Sequence, residues 1–352
     1  MNHSRTHSRT QHSSRTLAII AALLAGVLVF TSACVTSEAD QAKAAAEPER
    51  VPLDSLGDLT LQVGDQKGGT QSLLQAAGVL DDLPYQIEWS TFTSGPPQVE
   101  ALTAGQIDFA VTGNTPPIFG ASSGARIKIV SATNMAGEGD QILAKADSQI
   151  AQVADLKGKK VAVGKGTSAH GNLLLQLDKA GLGIDDVEPV YLQPAEASAA
   201  FSRGDVDAWA IWDPYTAITE TTEDVRVLAT AESVSNGAEF GLASLDALGD
   251  SRRNTALADL VQRIARASDW AAANPDEWAE KYSQAVDVPL EPAKIAQRRR
   301  QDRQAVPADA LNDSEQSIAD AFSGAELIEP FSFADFVDTR YARDLEPYFN
   351  EP

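Results

Sequence analysis

The sequence predicts an α/β protein of two lobes, each a mainly parallel sheet flanked by helices, followed by a helical C-terminal tail. Three observations predict it. From Leu59 onward, short apolar strand-like runs alternate with helix-like runs, and glycines and prolines mark the joints. Alternation of that kind builds parallel sheets covered by helices. The pattern then recurs at an offset of about 100 residues: Val63-Gly64 matches Val163-Gly164, Gly69-Thr70 approximates Gly166-Thr167, and Gly105-x-x-Asp108 answers Gly204-x-x-Asp207. Beyond residue 254 the strand-like runs stop, and amphipathic stretches punctuated by prolines read as helices.

Taken in order, the first copy reads as strand 59–64, helix near 70–79, strand 85–92, helix 96–104, strand 107–112, helix 116–122 and strand 127–131. The second copy is organised around VAVGKGTSAHGNLLLQL (161–177): a buried strand over Val161 to Val163, a corner over Gly164 to Gly166, and a helix opened by Thr167 or Ser168. AGQIDFAVTGNTPPI (104–118) parallels RGDVDAWAIWDPYTAI (203–218). Residues 136–150 and 238–248 are expected to cross between lobes, giving lobe 1 from 58–142 and 240–352 and lobe 2 from 143–239. Two crossings would allow hinge closure on a ligand. The tail contributes helices over 255–273 and 275–285 and one containing IADAF (318–322). Arg298-Arg299-Arg300 reads there as a solvated helix face, with contact to a partner or reach towards the ligand as the alternative.

Residues 1–57 are expected to stand outside this body. The apolar run 17–30 follows Arg15 and is 14 residues long, about 21 Å as a helix against a bilayer core of about 30 Å. It reads as a signal-peptide core over 1–33. It ends in Thr31-Ser32-Ala33-Cys34, and Cys34 is the single cysteine. This resembles a bacterial lipobox, in which the cysteine becomes the lipidated first residue, although Thr31 stands where leucine is usual. Two acyl signals would anchor such a protein stably. Residues 34–57 then read as a lipidated, proline-punctuated tether. The chain carries 50 acidic and 28 basic residues, a net charge of −22, which argues against nucleic-acid binding and against a polybasic membrane patch. One cysteine excludes an intrachain disulfide.

The chemistry is expected at the strand–helix corners. Ser94-Gly95-Pro96, Asn114-Thr115-Pro116, Gln193-Pro194 and Asp213-Pro214 each place proline just inside a helix start, where its missing N–H has no intrahelical partner to lose. In open parallel sheets the carboxyl ends of strands face the ligand crevice. Five or six helix N-termini from two lobes would therefore converge on one cleft, offering amides and hydroxyls to an anion. Four or five charged hydrogen bonds at about 1.5–3 kcal/mol each reach micromolar affinity after ordering costs, so on this reading no lysine or arginine is needed. GKGTSA also satisfies the outline of a dinucleotide fingerprint. Gly120-x-Ser122-x-Gly124 matches a hydrolase nucleophile elbow, but Ser122 would end a helix instead of opening one. No cofactor or metal is expected: His3, His7 and His12 lie in the leader, leaving His170 alone in the body.

GDQKGGT (64–70), SGPPQVEALTAGQIDFAVTGNTPPIF (94–119), DLKGKKVAVGKGTSAHGNLL (155–174) and VYLQPAEASAAFSRGDVDAWAIWDPY (190–215) together resemble the periplasmic-type substrate-binding proteins of ABC importers, in their aliphatic-sulfonate, taurine and nitrate branch. SGPP with GNTPP is closer to the sulfonate-binding members. The resemblance implies a type II periplasmic-binding-protein fold, a non-enzymatic monomer that captures a small organosulfonate, and a permease and an ATPase as separate chains. Nitrate, another oxyanion or a thiamine precursor are the alternative ligands on the same fold. The ligand residues it implies are Gln66, Thr70, Ser94, Gly95, Asn114 and Thr115 from one lobe, and Gly166, Thr167, Ser168 and His170 from the other. Trp212 and Phe119 would meet an organic tail, and Asp213 would cap its helix and favour an amine-bearing ligand.

Overall fold

The first sheet grows from a parallel core in which β1 (Thr60–Gln66) lies between β2 (Gln86–Phe92) and β3 (Phe109–Gly113). The second repeats it, with β6 (Lys160–Val163) between β7 (Glu188–Tyr191) and β8 (Ala208–Ile211). This computed structural model describes residues 47–66, 69–300 and 303–349, and the leader with Cys34 lies outside them. The recurring Gly-x-x-Asp does the same work in both sheets. Gly105 and Gly204 take left-handed φ values of 67° and 76° that end the preceding helix. The aspartates then fasten the start of the central strand: Asp108 Oδ2 accepts from Gln62 N at 2.9 Å, and Asp207 Oδ2 accepts from Lys160 N at 2.8 Å. The motif that betrays the repeat is therefore a structural clip.

Each sheet is completed by an antiparallel strand delivered across the middle of the molecule. In the first, β10 (Glu239–Ser244) runs between β3 and β4 (Ile127–Asn134), with β11 (Gln304–Val306) on the outer edge. In the second, β5 (Gln141–Lys145) runs between β8 and β9 (Val225–Thr230). The two crossing segments touch at Gly137 (φ 75°) and Gly237 (φ 63°). A Cβ on Gly237 would stand 2.6 Å from Gly137 N, so the backbones meet where no side chain fits.

Helices α1 (Thr70–Ala76), α2 (Gly95–Thr103) and α3 (Thr115–Ser122) follow β1, β2 and β3; α4 (Ser168–Lys179), α5 (Pro194–Arg203) and α6 (Tyr215–Thr222) follow β6, β7 and β8. The expected strand and helix boundaries agree with these to within three residues. After the short α7 (Leu245–Gly249) comes α8 (Ser251–Ala273), whose buried Leu257, Val261, Ala265 and Ser268 recur at helical spacing and form its inner stripe. Asp250 caps it, accepting from Arg252 N at 3.1 Å and Arg253 N at 2.9 Å. α9 (Pro275–Val286), α10 (Leu290–Arg298) and α11 (Asn312–Gly324) complete the tail, with a last turn, α12, over Ala342–Leu345.

The tether expectation fails for residues 47–57. Leu56 is fully buried, Val51 N donates to Thr255 Oγ1 at 3.0 Å, and Arg50 pairs with Asp344 at 2.8 Å. Apolar residues at Val51 and Leu56 within a polar stretch give this segment something to bury. No helix among the described residues is long and apolar enough to cross a membrane. Asp108→Ala is expected to lower unfolding stability by about 1–3 kcal/mol by orphaning the half-buried Gln62 N–H, and the exposed Asp207→Ala by less. Denaturant titrations that leave both at wild-type stability would refute the clip.

Candidate functional site: an arginine-lined cavity between the sheets

The carboxyl ends of the parallel strands in both sheets open onto one cavity of about 500 Å³. Five helix N-termini border it, at Thr70, Gly95, Asn114, Thr167–Ser168 and Pro214–Tyr215. α5 is not among them. Its cap Gln193 instead accepts from Thr93 Oγ1 at 2.9 Å and Ser94 Oγ at 3.2 Å, bridging the two sheets beside the cavity. The sheets approach closely elsewhere too: a Cβ on Gly113 would lie 3.1 Å from Ser168 Cβ.

Of the residues expected here, Gln66, Thr70, Gly95, Asn114, Thr167, Ser168, Trp212 and Asp213 line the cavity, and Ser94, Thr115, Gly166, His170 and Phe119 do not. Thr115 is buried and donates to Asn114 Oδ1 at 3.1 Å. Gly166 takes φ 72° and lies against the Phe119 ring, 3.3 Å from where its Cβ would be. His170 is fully buried behind that corner, packed between Phe119, Tyr191 and Phe322. Its Nδ1 accepts from Gly166 N at 3.2 Å. Burial, with a smaller contribution from Lys165, lowers its pKa to about 4, so a neutral ring buttresses the corner. Phe119 likewise packs against the corner, and the apolar side chains that line the cavity include Trp212, Phe92, Met135 and Leu73. Ser122 ends α3 and donates to Glu329 O at 2.9 Å, away from the cavity.

The expectation of a cradle without cations is overturned. Carboxylates of the protein itself sit at three of the five helix N-termini, and at two of them accept from a backbone N–H. Asp65 accepts from Gln71 N at 3.3 Å at the start of α1, and Asp213 accepts from Ala217 N at 3.1 Å and from Thr216 Oγ1 at the start of α6. Asp140, at the first crossing, takes the Ser168 hydroxyl at the start of α4. An acid at each of these positive ends gains what an external anion would gain there.

The positive charge comes from the tail. Arg299, Arg300 and Arg303 line the cavity, contrary to the solvated face expected of 298–300; Arg298 alone of that run is exposed. Helix α10 ends at Arg298, and a turn over Arg299 and Arg300 follows it. Arg299 pairs with Asp213 at 3.3 Å and with Glu220. Arg300 pairs with Glu239, which also meets Arg303 at 3.5 Å. Burial raises the Glu239 pKa, but the two arginines outweigh it and hold the carboxyl below its usual range. Burial, reinforced by Arg300, brings Arg303 down to about 10, so it stays cationic at neutral pH. Among the described residues, the Nε groups of Arg300 and Arg303 are buried without a hydrogen-bond partner, donors of a kind that native proteins seldom leave unused.

Burial raises two further carboxyls to about 7: Asp140, and Glu315 of α11, which accepts from Asn236 Nδ2 at 2.8 Å. Both bind protons in the folded state over a range where the unfolded chain, near its ordinary carboxyl values, does not. Stability must then rise as pH falls towards 7. The ligand-free protein is expected to gain about 1–2 °C in thermal midpoint between pH 8 and pH 7. Asp140→Asn and Glu315→Gln should each flatten this rise, and a midpoint that falls over the interval would contradict it. Below about 6.5 the neutral His170 begins to oppose the trend, because the unfolded ring takes up a proton first.

The family model described as NMT1/THI5 like matches residues 93–278. An inferred aliphatic sulfonates-binding protein of Escherichia coli (strain K12) is 39% identical over 229 residues, 64% of this chain and 66% of that protein's length, just short of two thirds. Among solved structures, the alkanesulfonate-binding protein SsuA from Xanthomonas axonopodis pv. citri bound to MOPS is 30% identical with a TM-score of 0.72, covering 80% of this chain and 99% of that one. The desulfurization enzyme DSZB shares the fold at 19% identity and a TM-score of 0.60, over 82% of this chain and 99% of its own. The fold by itself thus carries both binding and catalysis. The chain belongs to the NMT1/THI5-like family, and its two mainly parallel sheets and helical tail are those of the SsuA periplasmic binding proteins.

Proposed function

We propose that this chain is the extracytoplasmic binding component of an ABC importer, and that it takes a small organosulfonate into the cavity between its sheets. One observation carries the reading: Arg300 and Arg303, whose Nε groups are buried without a partner among the described residues, line the same cavity as Leu73, Phe92, Met135 and Trp212. Gly95, at another helix N-terminus, also lines the cavity, whereas Asn114 spends its amide on Ser235 and Glu315. A sulfonate offers three oxygens to such donors and an organic tail to Trp212 and Phe92. The volume favours a tail as well. About 500 Å³ falls within the 300–1,000 Å³ of small-molecule sites, far more than nitrate or sulfate fills. The names of the sulfonate-binding relatives support the same ligand class.

Binding without catalysis accompanies this reading. The sulfonate-binding names of the relatives support it, and Ser122 is spent on a backbone carbonyl away from the cavity. The monomeric protein would pass its ligand to a permease and ATPase on other chains, held at the membrane by a lipid on Cys34 after removal of residues 1–33.

Calorimetry is expected to show micromolar binding of alkanesulfonates or taurine and no heat with nitrate, sulfate or a pyrimidine phosphate. Heat from one of the latter alone would overturn the ligand class. Arg303→Gln should weaken sulfonate binding about 10–100-fold; unchanged affinity in a folded variant would remove the arginine from the site. Cys34→Ser should move the protein from the membrane fraction to the soluble fraction, and unchanged partitioning would count against the anchor.

A further inference from the structure

The cavity has a third wall that neither sheet provides. Ile264 and Ser268 of α8, with Trp278, Tyr282 and Val286 of α9, line it together with the arginines. Tyr282 brings this wall a phenol. The residue is only 2% exposed, yet its hydroxyl forms no hydrogen bond among the described residues. Burial raises the phenol pKa far above its usual range, with Arg300 pulling against it, so the hydroxyl keeps its proton. A donor shut away from bulk water without a partner in the protein is one that native structures seldom leave unused. Tyr215, the other tyrosine lining the cavity, is half-buried, and solvent can serve it. The place of Tyr282 is fixed by its neighbours. Trp278, one turn earlier on α9, stands edge-on to the Tyr282 ring, with centroids 5.4 Å apart, and donates its Nε1–H to Gln297 Oε1 at 2.7 Å. Gln297 belongs to the last turn of α10, just before Arg299 and Arg300. One indole thus ties the phenol to the arginine turn, and Tyr282 lies close enough to Arg300 and Arg303 to feel both charges.

We infer that Tyr282 is a ligand-binding residue, its hydroxyl donating to a sulfonate oxygen alongside Arg300 and Arg303. The inference rests on the organosulfonate reading and deepens it. A phenol beside two guanidinium groups strengthens the hold on an anion without adding a charge, where Glu239 already offsets part of the arginines' own. One acceptor in the protein competes for the hydroxyl: Asp213, whose charge Tyr282 also feels. That carboxylate is already engaged. Its Oδ1 accepts from Thr216 Oγ1, from Ala217 N at 3.1 Å and from Arg299 at 3.3 Å. Its Oδ2 is buried against Gly139, 2.7 Å from where a Cβ there would stand. The sulfonate is then the acceptor left to the phenol, and three side chains of the tail meet its three oxygens.

The test is calorimetry of the wild type and Tyr282→Phe with ethanesulfonate, hexanesulfonate and taurine, beside thermal melts of both proteins without ligand. Phenylalanine keeps the ring against Trp278 and removes only an oxygen that has no partner inside the protein. The ligand-free midpoint should therefore stay within about 2 °C of the wild type. Every sulfonate that the wild type binds should bind the variant about 10–100-fold more weakly. The factor should be the same for short and long tails, because the lost hydrogen bond is to the head group. Unchanged or tighter binding would overturn the inference and leave the organosulfonate reading standing, since the hydroxyl would then serve Asp213 instead. A loss confined to hexanesulfonate would overturn it too, by assigning the hydroxyl to the tail. So would a loss that comes with a midpoint lowered beyond that margin, the mark of a structural role. If the wild type binds none of the three, both readings fall.

Discussion

The ion pairs joining Glu239 to Arg300 and Arg303 are the interaction around which the cavity is organised. Glu239 opens the strand that returns to the first sheet, and the arginines belong to a segment reached only after three tail helices. Their pairing brings the tail against the crossing and puts guanidinium groups where helix dipoles alone would be too weak. Dipoles here are largely consumed internally, since Asp65, Asp140 and Asp213 each sit at a helix start. A carboxylate at such a position is stabilised and also blocks it. The cavity is therefore an exchange of charges within the protein, in which a ligand completes what the protein leaves unmatched. Glu239 keeps the arginines from carrying their full charge into an empty space, and it leaves each with an N–H group to offer.

Much of this architecture was legible in the sequence because it rests on local chemistry. Proline behind a capping residue marks a helix start wherever it occurs, and Gly-x-x-Asp marks the helix end and strand start on either side of it. Those signals marked both sheets and three of the five corners that border the cavity. The Gly164–Gly166 corner was legible as well, but its role was misread in part. Gly166 and His170 carry signals suited to ligand contact, yet both are buried against Phe119 and support the corner from behind. Whether a side chain lies in front of a corner or behind it depends on the twist of the sheet and on what packs there, and a single sequence carries neither.

The arginines were missed for a related reason. Arg299 lies 86 residues beyond Asp213, in the last recognisable corner, on a helix end whose periodicity predicts solvent. The signal that points to them is electrostatic: consecutive arginines stand out in a chain of net charge −22, where a solvated face has little need of them. Asp140 and Glu239 were equally hidden, since each belongs to a crossing segment and acquires its neighbours only when the two sheets form. Residues 47–57 show the reverse error, in which two apolar side chains in a polar stretch were enough to fix it to the body.

The exchange of strands at the two crossings carries a consequence for biosynthesis. The first sheet has a vacancy between β3 and β4 that only β10 fills, and β10 is translated after every strand of the second sheet. As the chain leaves the ribosome, its second half can close while its first still exposes two unpaired edges. The first half, though made earlier, matures last, and the arginines of its cavity arrive later still. A body that looks along its length like two tandem copies is in this sense indivisible: a cut between the copies would strand one of them with its sheet open at the middle.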